Sequence, residues 1–103
     1  MYTNMSEEEA VAFLEEVKGL LCFNMYGKVQ YVGMCNAIFC VQSGTQNFSN
    51  FIIKVLDKIK NDFLISNING GMSYFYLFPL TEEGYKKRLA YIDDLIKNIK
   101  DYV

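Results

Sequence analysis

Two β-rich runs around Asn69-Gly70-Gly71 constrain the fold more than any other stretch of this chain. Phe63-Leu64-Ile65-Ser66-Asn67-Ile68 precedes the turn and Met72-Ser73-Tyr74-Phe75-Tyr76-Leu77-Phe78 follows it. Aromatic and β-branched residues flanking Asn-Gly are the strongest local hairpin signal, because the favoured two-residue turn needs positive φ at positions that Asn and Gly fill readily. Pro79 has no N–H for a sheet ladder and closes the second strand. The segments on both sides of the hairpin read as helices.

Ser6-Glu7-Glu8-Glu9 has the spacing of a capping box, in which the Ser6 hydroxyl takes an orphan N–H and Glu9 reaches back to the Ser6 amide. From there Ala10, Leu14, Val17 and Leu21 step four, three and four along one face, with Val11, Phe13 and Leu20 widening it. The pattern predicts a helix that ends near Asn24, ahead of Tyr26-Gly27. The apolar run 29–41 does not separate strand from buried helix by period alone. We read it as a short extended piece, then a helix from about Val32 to Val41 that Gly44 stops in the left-handed cap position. A third helix follows, with Asn47 as its N-cap and Phe48, Ile52, Val55 and Ile59 turned inward. Gln46, Ser49, Asn50, Lys54, Asp57 and Lys60 form its other face.

Thr81 caps the last helix, about 82–101, and Glu82 and Glu83 lie in its first turn, where the helix dipole favours negative charge. Tyr85, Leu89, Ile92, Ile96, Ile99 and Val103 are spaced as a heptad seam, flanked by Tyr91, Leu95 and Tyr102. So small a domain has no core large enough to cover a helix apolar on both flanks. The expectation is a homodimer, with 82–103 as the dimerisation helix.

At 103 residues the chain is one domain spanning 1–103, in the α+β class. Eight Phe and eight Tyr, with 51% hydrophobic residues, set it apart from disordered tails. With no His, the commonest general base, the Ser-His and Cys-His nucleophile pairs and His-containing zinc sites are all excluded. No phosphate loop or metal cluster is visible either, so the chain reads as a binding protein with no catalytic residues, cofactor or metal. Cys22, Cys35 and Cys40 are odd in number and each lies in an apolar run, which suits buried free thiols in a reducing compartment. No run reaches the ~20 apolar residues of a membrane span, and Glu7, Glu8 and Glu9 stand where a signal peptide carries Lys or Arg. A cytoplasmic protein without membrane contact is expected. The formal charge of −2 argues weakly against nucleic acid, but it averages unlike surfaces: Lys54, Lys58 and Lys60 fall on the third helix, and acids crowd the first.

The order helix, short strand, helix, tight turn, helix, hairpin, long helix resembles a winged helix-turn-helix domain: three helices, a β-hairpin wing and a long C-terminal dimerisation helix. Two stretches carry the likeness. Ser43-Gly44-Thr45-Gln46-Asn47-Phe48-Ser49-Asn50-Phe51-Ile52 resembles the turn and start of a recognition helix. Tyr74-Phe75-Tyr76-Leu77-Phe78-Pro79-Leu80-Thr81-Glu82-Glu83-Gly84-Tyr85 resembles the junction of wing and dimer helix in MarR-like and PadR-like regulators, where the glycine lets the first helical turn pack close. The resemblance implies a dimer on palindromic double-stranded DNA, its third helix in the major groove and its wing on the neighbouring backbone or minor groove. Carried onto this sequence, it makes Thr45, Gln46, Asn47, Ser49, Asn50 and Lys54 candidates for base and phosphate contacts, Lys58 and Lys60 for phosphate, and Asn69, Gly70, Gly71 and Ser73 the wing tip. Tyr85, Leu89, Ile92, Ile96 and Ile99 would form the dimer contact.

The wing tip carries no charge and Asp57 points outward, so few phosphate contacts and a shallow salt dependence are expected. Lys86-Lys87-Arg88 is either a solvated helix face or a contact to flanking DNA. A transcription regulator is the leading function. A centromere-binding adaptor of a plasmid or phage partition system is its close variant. The alternative class is a winged helix used only for protein contacts, with the neutral wing and aromatic residues as its sticky surface.

Overall fold

The computed structural model describes residues 5–44, 49–63 and 78–103. Among them are helices α1 (Glu7–Leu20), α2 (Met34–Ser43), α3 (Asn50–Asp62) and α4 (Glu82–Lys97), and a short 3-10 helix over Ile99–Asp101. Strands β1 (Cys22–Met25) and β2 (Lys28–Tyr31) form a two-stranded antiparallel hairpin between α1 and α2. The class is α+β. The hairpin expected over 63–78 lies almost wholly outside the described residues.

The capping box forms as expected: the Ser6 hydroxyl accepts from the Glu9 N–H and the Glu9 carboxylate accepts from the Ser6 N–H, both at 3.2 Å. Such a cap is worth about 1 kcal/mol. Ala10, Phe13, Leu14 and Val17 of α1 are buried, and Leu21 just beyond it, whereas Leu20 is exposed. The helix stops at Leu20, four residues before the expected end. From Cys22 the chain runs extended and pairs Cys22 with Tyr31, Phe23 with Gln30, Asn24 with Val29 and Met25 with Lys28. Tyr26 and Gly27 close the turn with φ of 53° and 77°. That is the pattern of a type I′ hairpin turn, which favours Asn-Gly. With Tyr in the first left-handed position the turn lacks its usual sequence signature, so the expected helix ran on to Asn24 over what is strand β1, while the extended piece expected from Val29 falls within β2.

α2 occupies the expected region, shifted by two residues. Gly44 does end it, but at φ −77°, in the right-handed region, so no left-handed cap is formed. Met34, Cys35, Ala37, Ile38 and Val41 are buried. Cys40 is exposed and Cys22 only half-buried, so of the three thiols expected inside only Cys35 is. Five residues along a helix is 500°, which puts Cys40 roughly 140° around from Cys35. Burial pushes the Cys35 thiol up to about 12. It is a small hydrophobe of the core.

The core lies where α1, α2, α3 and α4 meet. Phe13 and Phe51 pack edge to face at 5.8 Å, joining α1 to α3. Ile92, Leu95 and Ile99 bring in the C-terminal segment, and Lys18 of α1 pairs with Asp93 of α4 at 2.7 Å. Thr81 caps α4 as expected, its hydroxyl accepting from the Gly84 N–H at 3.1 Å. Gly84 itself is buried against Pro79. Helix α4 ends at Lys97, and the 3-10 turn carries the chain to Asp101. Among the described residues no helix is long and apolar enough to cross a membrane.

Candidate nucleic-acid interface

The N-terminal half of α3 was the expected contact surface, and its rotation decides which side chains it shows. Phe51, Ile52, Val55 and Ile59 are buried. Asn50, Lys54, Asp57 and Asn61 are exposed and step four, three and four along the opposite face. Asn50 and Lys54 border a hollow of about 210 Å³ together with Met5, Ile53, Tyr102 and Val103. Lys54 makes no ion pair among the described residues.

Two expected contact residues are engaged inside the fold instead. Ser49, not Asn47, is the N-cap: its hydroxyl accepts from the Ile52 N–H at 3.3 Å, and the residue is 1% exposed. Capping turns this side chain toward its own helix and away from any ligand. Lys58 pairs with Asp62 at 2.8 Å, and its ammonium lies 5.7 Å from the centre of the Tyr91 ring. The Tyr91 hydroxyl donates to the same Asp62 oxygen at 2.8 Å. The charge of Lys58 is directed into this α3–α4 link. Thr45, Gln46 and Asn47, and the wing positions Asn69, Gly70, Gly71 and Ser73, lie outside the described residues.

The cluster sets one pH dependence. Hydrogen bonds from Lys58 first and Tyr91 second hold the Asp62 carboxyl below its ordinary 3.8. A depressed carboxylate adds stability above its unfolded value, and the gain disappears as pH falls through the folded one. The thermal midpoint of the wild type should therefore exceed that of Asp62→Asn at about pH 6, and that lead should shrink as pH falls below the ordinary carboxylate range. The effect is small because Asp62 is substantially solvated. A lead that does not change with pH would mean the carboxylate is not held by this link.

Lys86-Lys87-Arg88 is not one surface. Lys86 and Lys87 are exposed, each 4.0 Å from Glu82 or Glu83, one helical turn back. Arg88 is fully buried. The core-facing stripe of α4 is Gly84, Arg88, Ile92 and Leu95, continued by Ile99, so Arg88 falls four residues from Gly84 and four from Ile92. That spacing is visible in the sequence, but a Lys-Lys-Arg run reads first as a solvated face. Of the expected dimer seam, Ile92 and Ile99 are buried in the chain's own core, and Tyr85, Leu89 and Ile96 are half-buried against it. The intrachain core thus covers much of the surface that was thought to need a partner.

The hairpin carries the surface that sequence reasoning missed. Phe23, Met25, Tyr26 and Val29 are all exposed, Tyr26 at 97%. Phe23 and Tyr31 line a cleft of about 390 Å³ with Val32, Gly33, Asn36 and Leu80. Among the described residues no group of three or more His, Cys, Asp or Glu is placed to hold a metal ion. No protein-family model, curated protein or solved structure matches the chain.

Proposed function

We propose that the chain is a winged helix-turn-helix protein that binds double-stranded DNA sequence-specifically, as a homodimer, and regulates transcription. The observation that carries this reading is the exposed polar stripe of α3, where Asn50 and Lys54 share one face behind a buried Ser49 cap and a buried Phe51 anchor. A helix presenting its N-terminal residues in this way suits the major groove, where Asn and Gln pair two-pronged with adenine and Lys takes guanine or phosphate. The rings of Phe63 and Phe78 meet edge to face at 5.1 Å, so the described chain before residue 64 and after residue 77 converges, which suits a wing between them. Tyr85, Leu89 and Ile96 keep part of their surface outward, where the dimer contact of this reading falls. Asp57 on the same stripe as Lys54 favours base readout over phosphate grip, and hence a shallow salt dependence.

A gel shift with DNA from upstream of the protein's own coding sequence, at low and moderate salt, tests the proposal. Retardation should be lost by at least about tenfold in affinity on replacing Gln46 and Asn50 together by Ala, since each two-pronged contact is worth about 1–3 kcal/mol. The double variant should still sediment at twice the 11.9 kDa chain mass. No retardation at either salt would sink the reading. The exposed apolar hairpin supports a second one, a winged helix used for protein contacts, because grouped exposed aromatic and aliphatic side chains mark interaction surfaces.

A further inference from the structure

Lys and Arg total 10 in this chain, and Arg88 is the only arginine among them. It is 0% exposed. Its Nη1 donates to the Pro79 carbonyl at 2.8 Å and to the Phe78 carbonyl at 3.3 Å. Nε and Nη2 are buried and have no hydrogen-bond partner among the described residues. We propose that this free edge of the guanidinium holds two oxygens of a small oxyanion ligand, a carboxylic acid or a phosphomonoester.

The chemistry follows from which donors are free. Nε–H and one N–H of Nη2 point the same way, and together they form the side-on fork that grips a carboxylate or phosphate with two parallel hydrogen bonds. The two backbone carbonyls fix the guanidinium plane through Nη1 alone and leave that fork whole. They also carry no net charge. No Asp or Glu pairs with Arg88 among the described residues, so the buried cation has orientation without neutralisation. Buried charges are normally paired, because desolvation without a counter-charge is costly. An anion with two coplanar oxygens meets both needs.

The cleft beside the hairpin gives the approach. Tyr31 and Leu80 line it. Tyr31 also lies within electrostatic reach of the guanidinium, and Leu80 directly follows Pro79, whose carbonyl Arg88 holds. Arg88 does not itself line the cleft, so the proposal requires Tyr31 and Leu80, which is 39% exposed, to move aside for the ligand. Gly33, the N-cap of α2, also lines the cleft and makes no side-chain cap, so the start of this helix favours negative charge there. Phe23 offers an apolar surface for the rest of the ligand. The phosphates of a nucleic-acid duplex do not fit, since a fully buried fork admits a small molecule and not a polymer backbone. The site therefore stands or falls separately from DNA binding.

A single arginine gives a single Nε–H resonance in a ¹⁵N-labelled sample of the whole chain. Titrating acetate and, separately, inorganic phosphate at constant ionic strength, with chloride as control, should move that resonance saturably for at least one of the two, with chloride inert. Acetate alone identifies a carboxylate ligand, phosphate alone a phosphomonoester, and both a general oxyanion site. The thermal midpoint should rise with the same anion. In Arg88→Lys, which keeps the charge but has no fork, the dissociation constant read from that rise should weaken at least about tenfold. A resonance that stays flat in both series, or drifts without saturating in acetate, phosphate and chloride alike, would overturn the proposal; the wild-type titration decides this even if the variant does not fold. So would an anion-dependent rise of the midpoint that Arg88→Lys leaves unchanged.

Discussion

Replacing Gly84 by alanine is expected to remove about 3–5 kcal/mol of folding stability, a large part of the roughly 5–15 kcal/mol that holds a domain of this size together. A Cβ at this position would stand 1.8 Å from the Pro79 carbonyl oxygen and 2.8 Å from its carbon. Both partners are backbone, one in a helix and the other anchored at a proline, so neither gives way as a side chain would. The helix propensity of alanine offsets at most about 1 kcal/mol of the clash. The displaced carbonyl is also the one that accepts from Arg88 at 2.8 Å, so relief of the clash breaks the better of the two contacts of a buried guanidinium. At about 4–8 °C per kcal/mol the thermal midpoint should fall by at least about 12 °C. Gly19 supplies the control: a Cβ there meets nothing within 4 Å, and Gly19→Ala in the exposed last turn of α1 should gain up to about 1 kcal/mol. A Gly84→Ala stability within about 0.5 kcal/mol of the wild type would show that the close approach of Gly84 to Pro79 does not exist in solution.

Gly84 was legible through the likeness of Leu80-Thr81-Glu82-Glu83-Gly84 to a strand-to-helix junction whose glycine packs close. The capping box at Ser6, the cap at Thr81 and the inward face of α1 were legible because each rests on contacts within one or two turns of chain. What escaped needed information from farther away. The Tyr26-Gly27 turn has the geometry of Asn-Gly without its residues, so the first strand, Cys22–Met25, was taken as the end of α1 and its pairing with the extended piece after the turn went unread. Arg88 is charged, and only the packing of α4 against the Phe78-Pro79 segment reveals that it faces inward. The seam of α4 was read as a surface in want of a partner because its spacing is that of a coiled coil, yet the same spacing serves a core made by the chain's own helices. In the candidate interface, Asn50 and Lys54 are displayed as the sequence suggested, whereas Ser49 and Lys58 are taken by local partners at no great sequence distance. Those partners, the Ile52 N–H and Asp62, were present in the sequence, but nothing in the spacing ranks a cap or an i,i+4 pair above a ligand.

Phe51→Ala is expected to cost about 3–5 kcal/mol, while Lys54→Ala and Asp57→Ala stay within about 0.5 kcal/mol of the wild type. Phe51 is 1% exposed and packs edge to face on Phe13, with the planes at 83°, so truncation forfeits both its burial and the aromatic contact that ties the start of α3 to α1. The sequence pattern had used Phe48 as the inward aromatic and left Phe51 without a role, which makes this substitution a direct reading of how α3 is turned about its axis. The same rotation bears on the proposed DNA contact. One residue is about 100° on a helix, so a frame in which Phe51 were solvated would carry Asn50 and Lys54 toward the core or the rim and take them out of any groove. Chemical denaturation of the three variants measures it: a Phe51→Ala loss below about 1 kcal/mol, or a Lys54→Ala loss above that, would reverse the two faces of α3. In the expected result Phe51→Ala also weakens DNA retardation only as far as it unfolds the protein, whereas Gln46 and Asn50 act on binding with the fold intact, and the contrast separates the anchor of α3 from the surface it presents.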